Sequence, residues 1–227
     1  MKTGPMFSRQ NSYKIAIIGT GGFATGDILY ICNDIGYKKI VFVDPVNRYP
    51  TSKDIFGYPL LGEDEISGLE EEDYNFIIAI GDNKYRKAYF LKHNKLKYTN
   101  VIHPSSSIGF MQLKSIDKTV GNIIAAGARF ANNILFGNFG VFNFNCTVGH
   151  DCVLFDYINI SPGANVSGKV ILEECSFIGT NAAIREGHST DHKLKIGSHA
   201  VIGAGAVVLN DVPSQKTVVG IPAKIVK

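Results

Sequence analysis

A histidine followed by an aspartate, His150 and Asp151, stands inside the otherwise apolar run VGHDCV. An imidazole with its ordinary pKa near ~6.5 accepts a proton at neutral pH, and a neighbouring carboxylate fixes its tautomer and steadies the imidazolium that forms. The pair has the composition of a general base, and the same dipeptide also suits a solvated corner between two strands. A second group of residues has the composition of an anion site. The turn GTGGFA, with Gly21, Gly22 and Phe23 at its centre, lets a backbone approach a phosphate, and a helix starting near Ala24 would present free N–H groups to it. Taken alone, this loose G-x-G-x-x-A suits a dinucleotide as readily as a nucleotide sugar.

The elements that must position these residues differ between the two halves of the chain. From Tyr13 to about Asn100 the pattern alternates: the apolar strand YKIAIIG, the glycine turn, a helix carrying Ile28, Leu29, Ile31 and Cys32, and the strand KIVFVD. The strand YNFIIAIGDN and the amphipathic helix KYRKAYFLKHN follow. Strands apolar on both faces and alternating with helices predict a small parallel α/β unit of Rossmann-like type. Ligands of such sheets sit at the carboxyl ends of the strands, where the glycine turn, Asp44 with Pro45, and Gly81 to Asn83 all fall.

The second half repeats every six residues. From Ile124 the series runs Phe130, Phe136, Phe142, Val148, Leu154, Ile160, Val166, Leu172, Ile178 and Ile184 without a polar member, and it resumes at Ile196, Ile202 and Val208. Two positions before most of these stands a small or apolar residue, such as Ala128, Cys146, Cys152, Ala164, Ala182 and Ala206. Six residues make one short strand and a corner, so three such faces close a triangular coil of about 18 residues, stacked about 4.8 Å on the next. A parallel β-helix with an aliphatic interior is predicted. The series breaks at REGHSTDHKLK, which predicts a loop near 186–194 carrying His188 and His192 as exposed polar residues. Beyond Val208 the strict period ends, and residues 209–227 are expected to cap the solenoid. Phe139 and Phe144 fall off the inward register and are candidates for a subunit interface.

Metal ligands on stacked coils should recur every 18 residues, yet the positions 18 before and after His150 are Asn132 and Gly168. No metal is therefore expected. Cys32, Cys146, Cys152 and Cys175 lack C-x-x-C spacing and read as reduced core thiols. A net charge of +3 with no basic block excludes a nucleic-acid partner and suits a small anionic substrate. Lys216, Lys224 and Lys227 fit either phosphate attraction or plain surface charge. The N-terminal MKTGPMFSRQNSYK has no apolar core and no run of about 18 apolar residues occurs, so neither a signal peptide nor a membrane span is expected, and the cytoplasm is the expected compartment.

An α/β unit followed by a hexad solenoid resembles the hexapeptide-repeat acyltransferases, and within them the sugar acetyltransferases of the PglD and NeuD type. The most specific shared pieces are IIGTGGF, FVD, IAIGDNKYRK, GHDC, NISPGANVSG and VGIPAK, and the resemblance covers nearly the whole chain after residue 12. It implies a left-handed coil, an exception to the usual right-handed crossover. It also implies a homotrimer with active sites between neighbouring solenoids, acetyl-CoA along the coils, and a nucleotide-linked amino sugar on the N-terminal part. By the same resemblance His150 is the general base and Asp151 its partner. Gly21, Gly22, Phe23, Asp44, Pro45, Gly81 and Asn83 would contact the nucleotide sugar, and Asn159, Gly168, Thr180, Ala204 and Pro222 would contact acetyl-CoA. The bacillosamine-pathway member has His where this chain has Phe23, and a second His where it has Asn159, which can donate to a carbonyl but carries no charge.

The organisation expected is a flexible stretch over 1–12, a Rossmann-like nucleotide-sugar domain over 13–100, and a left-handed β-helix acyltransferase domain over 101–227. The implied activity is acetyl transfer to the amine of a UDP- or dTDP-linked 4-amino-4,6-dideoxy sugar in surface-glycan biosynthesis. No acyl-enzyme is required, because two substrates held in one site react directly. O-acetylation of a sugar hydroxyl, as in the sialic acid branch, is the alternative within enzymes. A trimeric scaffold without catalysis is the alternative outside them, and it would have no use for a base at a coil corner.

Overall fold

The computed structural model describes residues 13–49, 52–110 and 112–227, so the stretch 1–12 expected to be flexible lies outside the described residues. Four strands of the N-terminal sheet run parallel: β1 (Lys14–Ile18), β2 (Lys39–Asp44), β4 (Tyr58–Gly62) and β5 (Asn75–Ile78), with the short β3 (Asp54–Ile55) added antiparallel to β4. Their spatial order is β3-β4-β2-β1-β5. A turn of π-helix, Phe23–Ile28, continues into α1 (Leu29–Ile35), and α2 (Ile66–Glu71) and α3 (Asn83–Lys92) follow β4 and β5. Gly19 opens the turn after β1 with φ +128°, and a β-carbon there would lie 2.8 Å from the Ala79 carbonyl oxygen. Only glycine satisfies both the dihedral and the close approach.

From Val101 onward the chain winds as a left-handed parallel β-helix of short strands. Strands pair at an offset of 18 residues, as Val141 with Asn159 and Thr147 with Asn165. The predicted inward residues, from Ile124 to Val208, form one continuous core, with Phe136 only partly buried against it, and the small residues two positions earlier pack in the same column. Most corners place one residue in the left-handed region, which favours Asn and Gly. One corner stacks Gly127, Asn145, Gly163, Asn181 and Gly205; another stacks Asn133, Asp151 and Lys169. All four cysteines are free and buried.

Three irregularities interrupt the 18-residue register. Val101 pairs with Ile123, an offset of 22, because the first coil carries the helix α4 (Gln112–Ile116) in place of its third strand. The buried Gln112 side chain stands in for a missing coil: its amide donates to the Ile134 carbonyl (3.0 Å) and its oxygen accepts from the Ile134 N–H (2.9 Å). Phe177 pairs with Val201, an offset of 24, so the expected loop near 186–194 adds six residues to one coil. At the far end, Thr217–Val219 extends the first face and Lys224–Ile225 closes it antiparallel.

The α/β part packs onto the first face of the solenoid. There the outward residues Val101, Ile123 and Val141 are apolar as well, and they join Ile15, Ile17, Ala24 and Ile28 in one core cluster. Phe144 packs at the edge of that cluster. Phe139 is 1% exposed, stacked on Tyr157 (5.3 Å between centroids) and packed on Phe90 of α3 (4.5 Å). Phe139 thus serves the contact between the two parts of one chain rather than an interface between subunits, and the partly buried Phe144 packs against the same contact. The hexad pattern reports only what faces inward, so it could not distinguish these alternatives.

Arg86, on α3, is fully buried and locks this contact. Its guanidinium donates to the carbonyls of Ile80 (2.8 Å) and Phe139 (2.9 Å), and to those of Gly81, Tyr157 and Ile158 at 3.2 Å. Among the described residues no carboxylate hydrogen-bonds to it, and burial pushes the Arg86 pKa down to about 10, still protonated at neutral pH. Replacing Arg86 by Met would leave several buried carbonyls without a donor, each costing about 1–3 kcal/mol. Arg86→Met should lower unfolding stability by ~3 kcal/mol or more in urea titrations; a change below ~1 kcal/mol would show that those carbonyls find other donors.

Candidate active site

His150 follows Gly149 at the end of the strand Thr147–Val148, and Asp151 turns the corner at φ +59°. This corner geometry aims the two side chains at each other: His150 Nδ1 lies 2.7 Å from Asp151 Oδ2. A carboxylate only accepts, so Nδ1 carries the hydrogen and Nε2 keeps its lone pair. The second carboxylate oxygen, Oδ1, accepts from Asn133 Nδ2 at 3.0 Å, one coil below. Hydrogen bonds from His150 and then Asn133 hold the Asp151 carboxyl below its usual range. The imidazole is half exposed (51%), while Asp151 is mostly covered (23%).

Gly168 sits one coil above His150, and a β-carbon there would come within 2.9 Å of both Cε1 and Nε2. The ring therefore leans into space that only glycine leaves free. One coil higher again, Glu186 Oε1 lies 3.9 Å from Nε2 and 2.7 Å from Lys169 Nζ. Lys193, at the end of the inserted loop, donates to the Asp151 carbonyl oxygen at 2.6 Å. Sequence reasoning singled out none of Asn133, Lys169, Glu186 or Lys193. The 18-residue count applied to Asp151 would have found Asn133 and Lys169; it was applied only to His150.

At the carboxyl ends of β1 and β2 a cleft of about 360 Å³ is lined by Thr20, Gly21, Gly22, Thr25, Arg48 and Tyr49, among others. Gly21 and Gly22 fall where the glycine turn predicted an anion site, and Arg48 adds a cation there, with Nη1 3.7 Å from where a Gly21 β-carbon would stand. Phe23 instead turns inward and packs on the core cluster beside α1. Asp44 and Pro45 are not among the cleft's walls. The Asp44 carboxylate is buried and accepts from the N–H groups of Val46 (3.2 Å) and Tyr49 (3.0 Å), shaping the turn that carries Arg48.

Gly81 and Asn83 belong to a different task from the one expected. The Asn83 amide donates to the carbonyls of Cys175 and Ser176, both at 3.1 Å, and Gly81 offers its carbonyl to Arg86. Asn83 thus ties α3 to the solenoid with both amide hydrogens and has none left to offer a sugar, while Gly81 steadies Arg86 from within the α/β part. Glu174, Cys175 and His199 also gather nearby, but Lys87 already neutralises Glu174 at 2.8 Å.

Residues 14–92 match the family model for the PglD N-terminal domain. GDP-perosamine N-acetyltransferase of Escherichia coli is 32% identical over 222 residues, which are 93% of this chain and 95% of that protein. The chain belongs to the PglD-type sugar acetyltransferases. Two solved structures share the architecture throughout. The acetyltransferase domain of PglB from Neisseria gonorrhoeae, in complex with acetyl coenzyme A, has a TM-score of 0.81 at 29% identity, covering 95% of this chain and 100% of that one. PerB from Caulobacter crescentus, in complex with CoA and GDP-perosamine, has a TM-score of 0.78 at 25% identity, covering 94% and 97%.

In this PglD-type chain the residues expected along acetyl-CoA do not gather at the His150 corner. Asn159 lies on the first face, buried, with its amide on Ser161 Oγ at 3.1 Å. Thr180 and Ala204 stack as exposed residues at the corner between the first and second faces, with Pro222 exposed at the end of the coil. Gly168 stands apart from them, one coil above His150 at the next corner. Gly168→Ala should push the imidazole aside and reduce kcat roughly 10- to 100-fold with the fold intact by circular dichroism. Wild-type turnover in that variant would show that the ring has room to move.

Proposed function

We propose that this protein transfers the acetyl group of acetyl-CoA to the amine of a nucleotide-linked 4-amino-4,6-dideoxy sugar. The observation that carries the reading is the His150–Asp151 pair, with Nε2 left free to accept a proton. The amine nitrogen attacks the thioester carbonyl, its proton passes to Nε2, and the C–S bond breaks as CoA leaves as the thiolate, which is then protonated. Asp151 steadies the imidazolium without itself taking the proton. With both substrates in one site, no covalent acyl-enzyme is needed.

The cleft holding Gly21, Gly22 and Arg48 suits the diphosphate of the sugar nucleotide: glycine backbone and a guanidinium both favour it. Two relatives that match along nearly their whole length, the Escherichia coli and Caulobacter crescentus proteins, are named for GDP-perosamine, which favours a GDP-linked acceptor over the UDP- or dTDP-linked one inferred from sequence. The separation of Asn159, Thr180 and Ala204 from His150 supports a trimer in which a neighbouring solenoid completes each acetyl-CoA site. Among the described residues no helix is long and apolar enough to cross a membrane, and the reading places the enzyme in the cytoplasm with both co-substrates.

The test is a panel of GDP-, UDP- and dTDP-linked 4-amino sugars with acetyl-CoA, followed by release of free thiol. Turnover is expected with a GDP-linked amino sugar, and silence with every member would overturn the function. His150→Ala should reduce turnover at least ~100-fold, the usual scale of general-base catalysis, while sedimentation still reports three times the mass of one chain. Unchanged turnover would remove His150 from the role.

A further inference from the structure

The nearest side chain that His150 Nε2 faces across the empty rung at Gly168 is not a hydrogen-bond partner but a second carboxylate. Glu186 Oε1 lies 3.9 Å from Nε2, beyond direct hydrogen-bonding range. One nitrogen standing about 2.9 Å from each would bridge that gap. His150, Gly168 and Glu186 occupy one column of the coil, so stacking fixes the spacing rather than a mobile loop.

We propose that Glu186 is the residue that makes the acceptor an amine rather than a hydroxyl. An amine has two N–H bonds and a lone pair: one hydrogen goes to Nε2, the other to the Glu186 carboxylate, and the lone pair remains for the thioester carbon. A hydroxyl has a single O–H. With that hydrogen on Nε2, its oxygen lone pairs would oppose the carboxylate. The same carboxylate also attracts the ammonium form in which a sugar amine arrives at neutral pH. This inference rests on the acetyl-transfer reading above and decides between the two enzyme classes left open by the sequence.

Glu186 is held ready for this role. Lys169 Nζ donates to it at 2.7 Å, and that hydrogen bond with the lysine charge keeps the carboxyl below its usual range, so it is anionic at working pH. The charged and titratable groups around His150 are Asp151 on Nδ1, Glu186 facing Nε2, Lys169 behind Glu186, and Lys193 on the Asp151 carbonyl. The Arg185 and His188 side chains engage each other at 3.3 Å beside Glu186. Among the described residues, Glu186 is the carboxylate within 4 Å of Nε2.

The experiment uses the full-length protein and whichever amino-sugar nucleotide of the panel it acetylates, with Glu186→Ala as the variant and kcat/KM measured against pH. Loss of a charge-assisted hydrogen bond to the amine should lower kcat/KM about 10- to 100-fold. Removing an anion beside His150 destabilises its imidazolium, so the acid limb of the profile should move to lower pH. The corresponding 4-hydroxy sugar nucleotide should gain relative to the amine. A variant within twofold of the parent, or one that loses activity with the acid limb unmoved, overturns the role of Glu186 while leaving the acetyl-transfer function standing. A parent that acetylates no amino sugar sinks the function, and this inference with it.

Discussion

Hydrogen bonding between coils sets every residue of the solenoid above one in the coil below, and the candidate site depends on that constraint. The backbone N–H of Asp151 reaches the Asn132 carbonyl, that of Lys169 reaches His150, and that of Gly187 reaches Gly168. Side chains 18 residues apart are therefore neighbours at the distance of paired strands, about 4.8 Å. Asn133 can hold Asp151 only because it occupies the same corner one coil earlier. Gly168 can give room to the His150 ring only because it occupies the same column one coil later. A slip of one residue in this register would turn the aliphatic core outward and scatter the site at once.

The second constraint is the bond between the two parts of the chain. A face of apolar outward residues, Val101, Ile123 and Val141, requires a cover, and the α/β sheet supplies it. Apolar contact alone is non-directional. Direction comes from Arg86 and Asn83, whose donors reach backbone carbonyls at the coil corners around Phe139, Tyr157 and Cys175. These corners adopt left-handed dihedrals, which leave their carbonyls available to a planar fork of N–H groups. The cleft at the glycine turn is thereby held at a set orientation to the solenoid.

The inserted six residues act on the site through position more than through chemistry of their own. His188 and His192 are exposed in the loop, and His188 engages Arg185 rather than His150. Lys193, by contrast, returns to the Asp151 carbonyl and ties the loop to the His150–Asp151 corner. The result is an alternation of charge along one edge, with Asp151, Lys169 and Glu186 successively negative, positive and negative. Both carboxylates are held below their usual range, Asp151 by hydrogen bonds from His150 and Asn133 and Glu186 by the hydrogen bond and charge of Lys169.

By itself the sequence determined the solenoid, the α/β unit before it, and the place of His150 and Asp151 at a coil corner. Each coil repeats the same demand for an inward aliphatic residue, so six-residue periodicity is written directly in side-chain types. The glycine turn was legible too, although only Gly19 in it needs both a positive φ and a close backbone approach. The tertiary structure alone decided that Phe139, Phe144 and Asn83 serve the contact between the two parts, and that Asp44 braces its own turn. It alone decided that Glu186, two coils past His150, faces the imidazole Nε2. Periodicity specifies which side chains point inward; what covers an outward one, and how far it reaches across a missing neighbour, is settled only when separate stretches of chain meet.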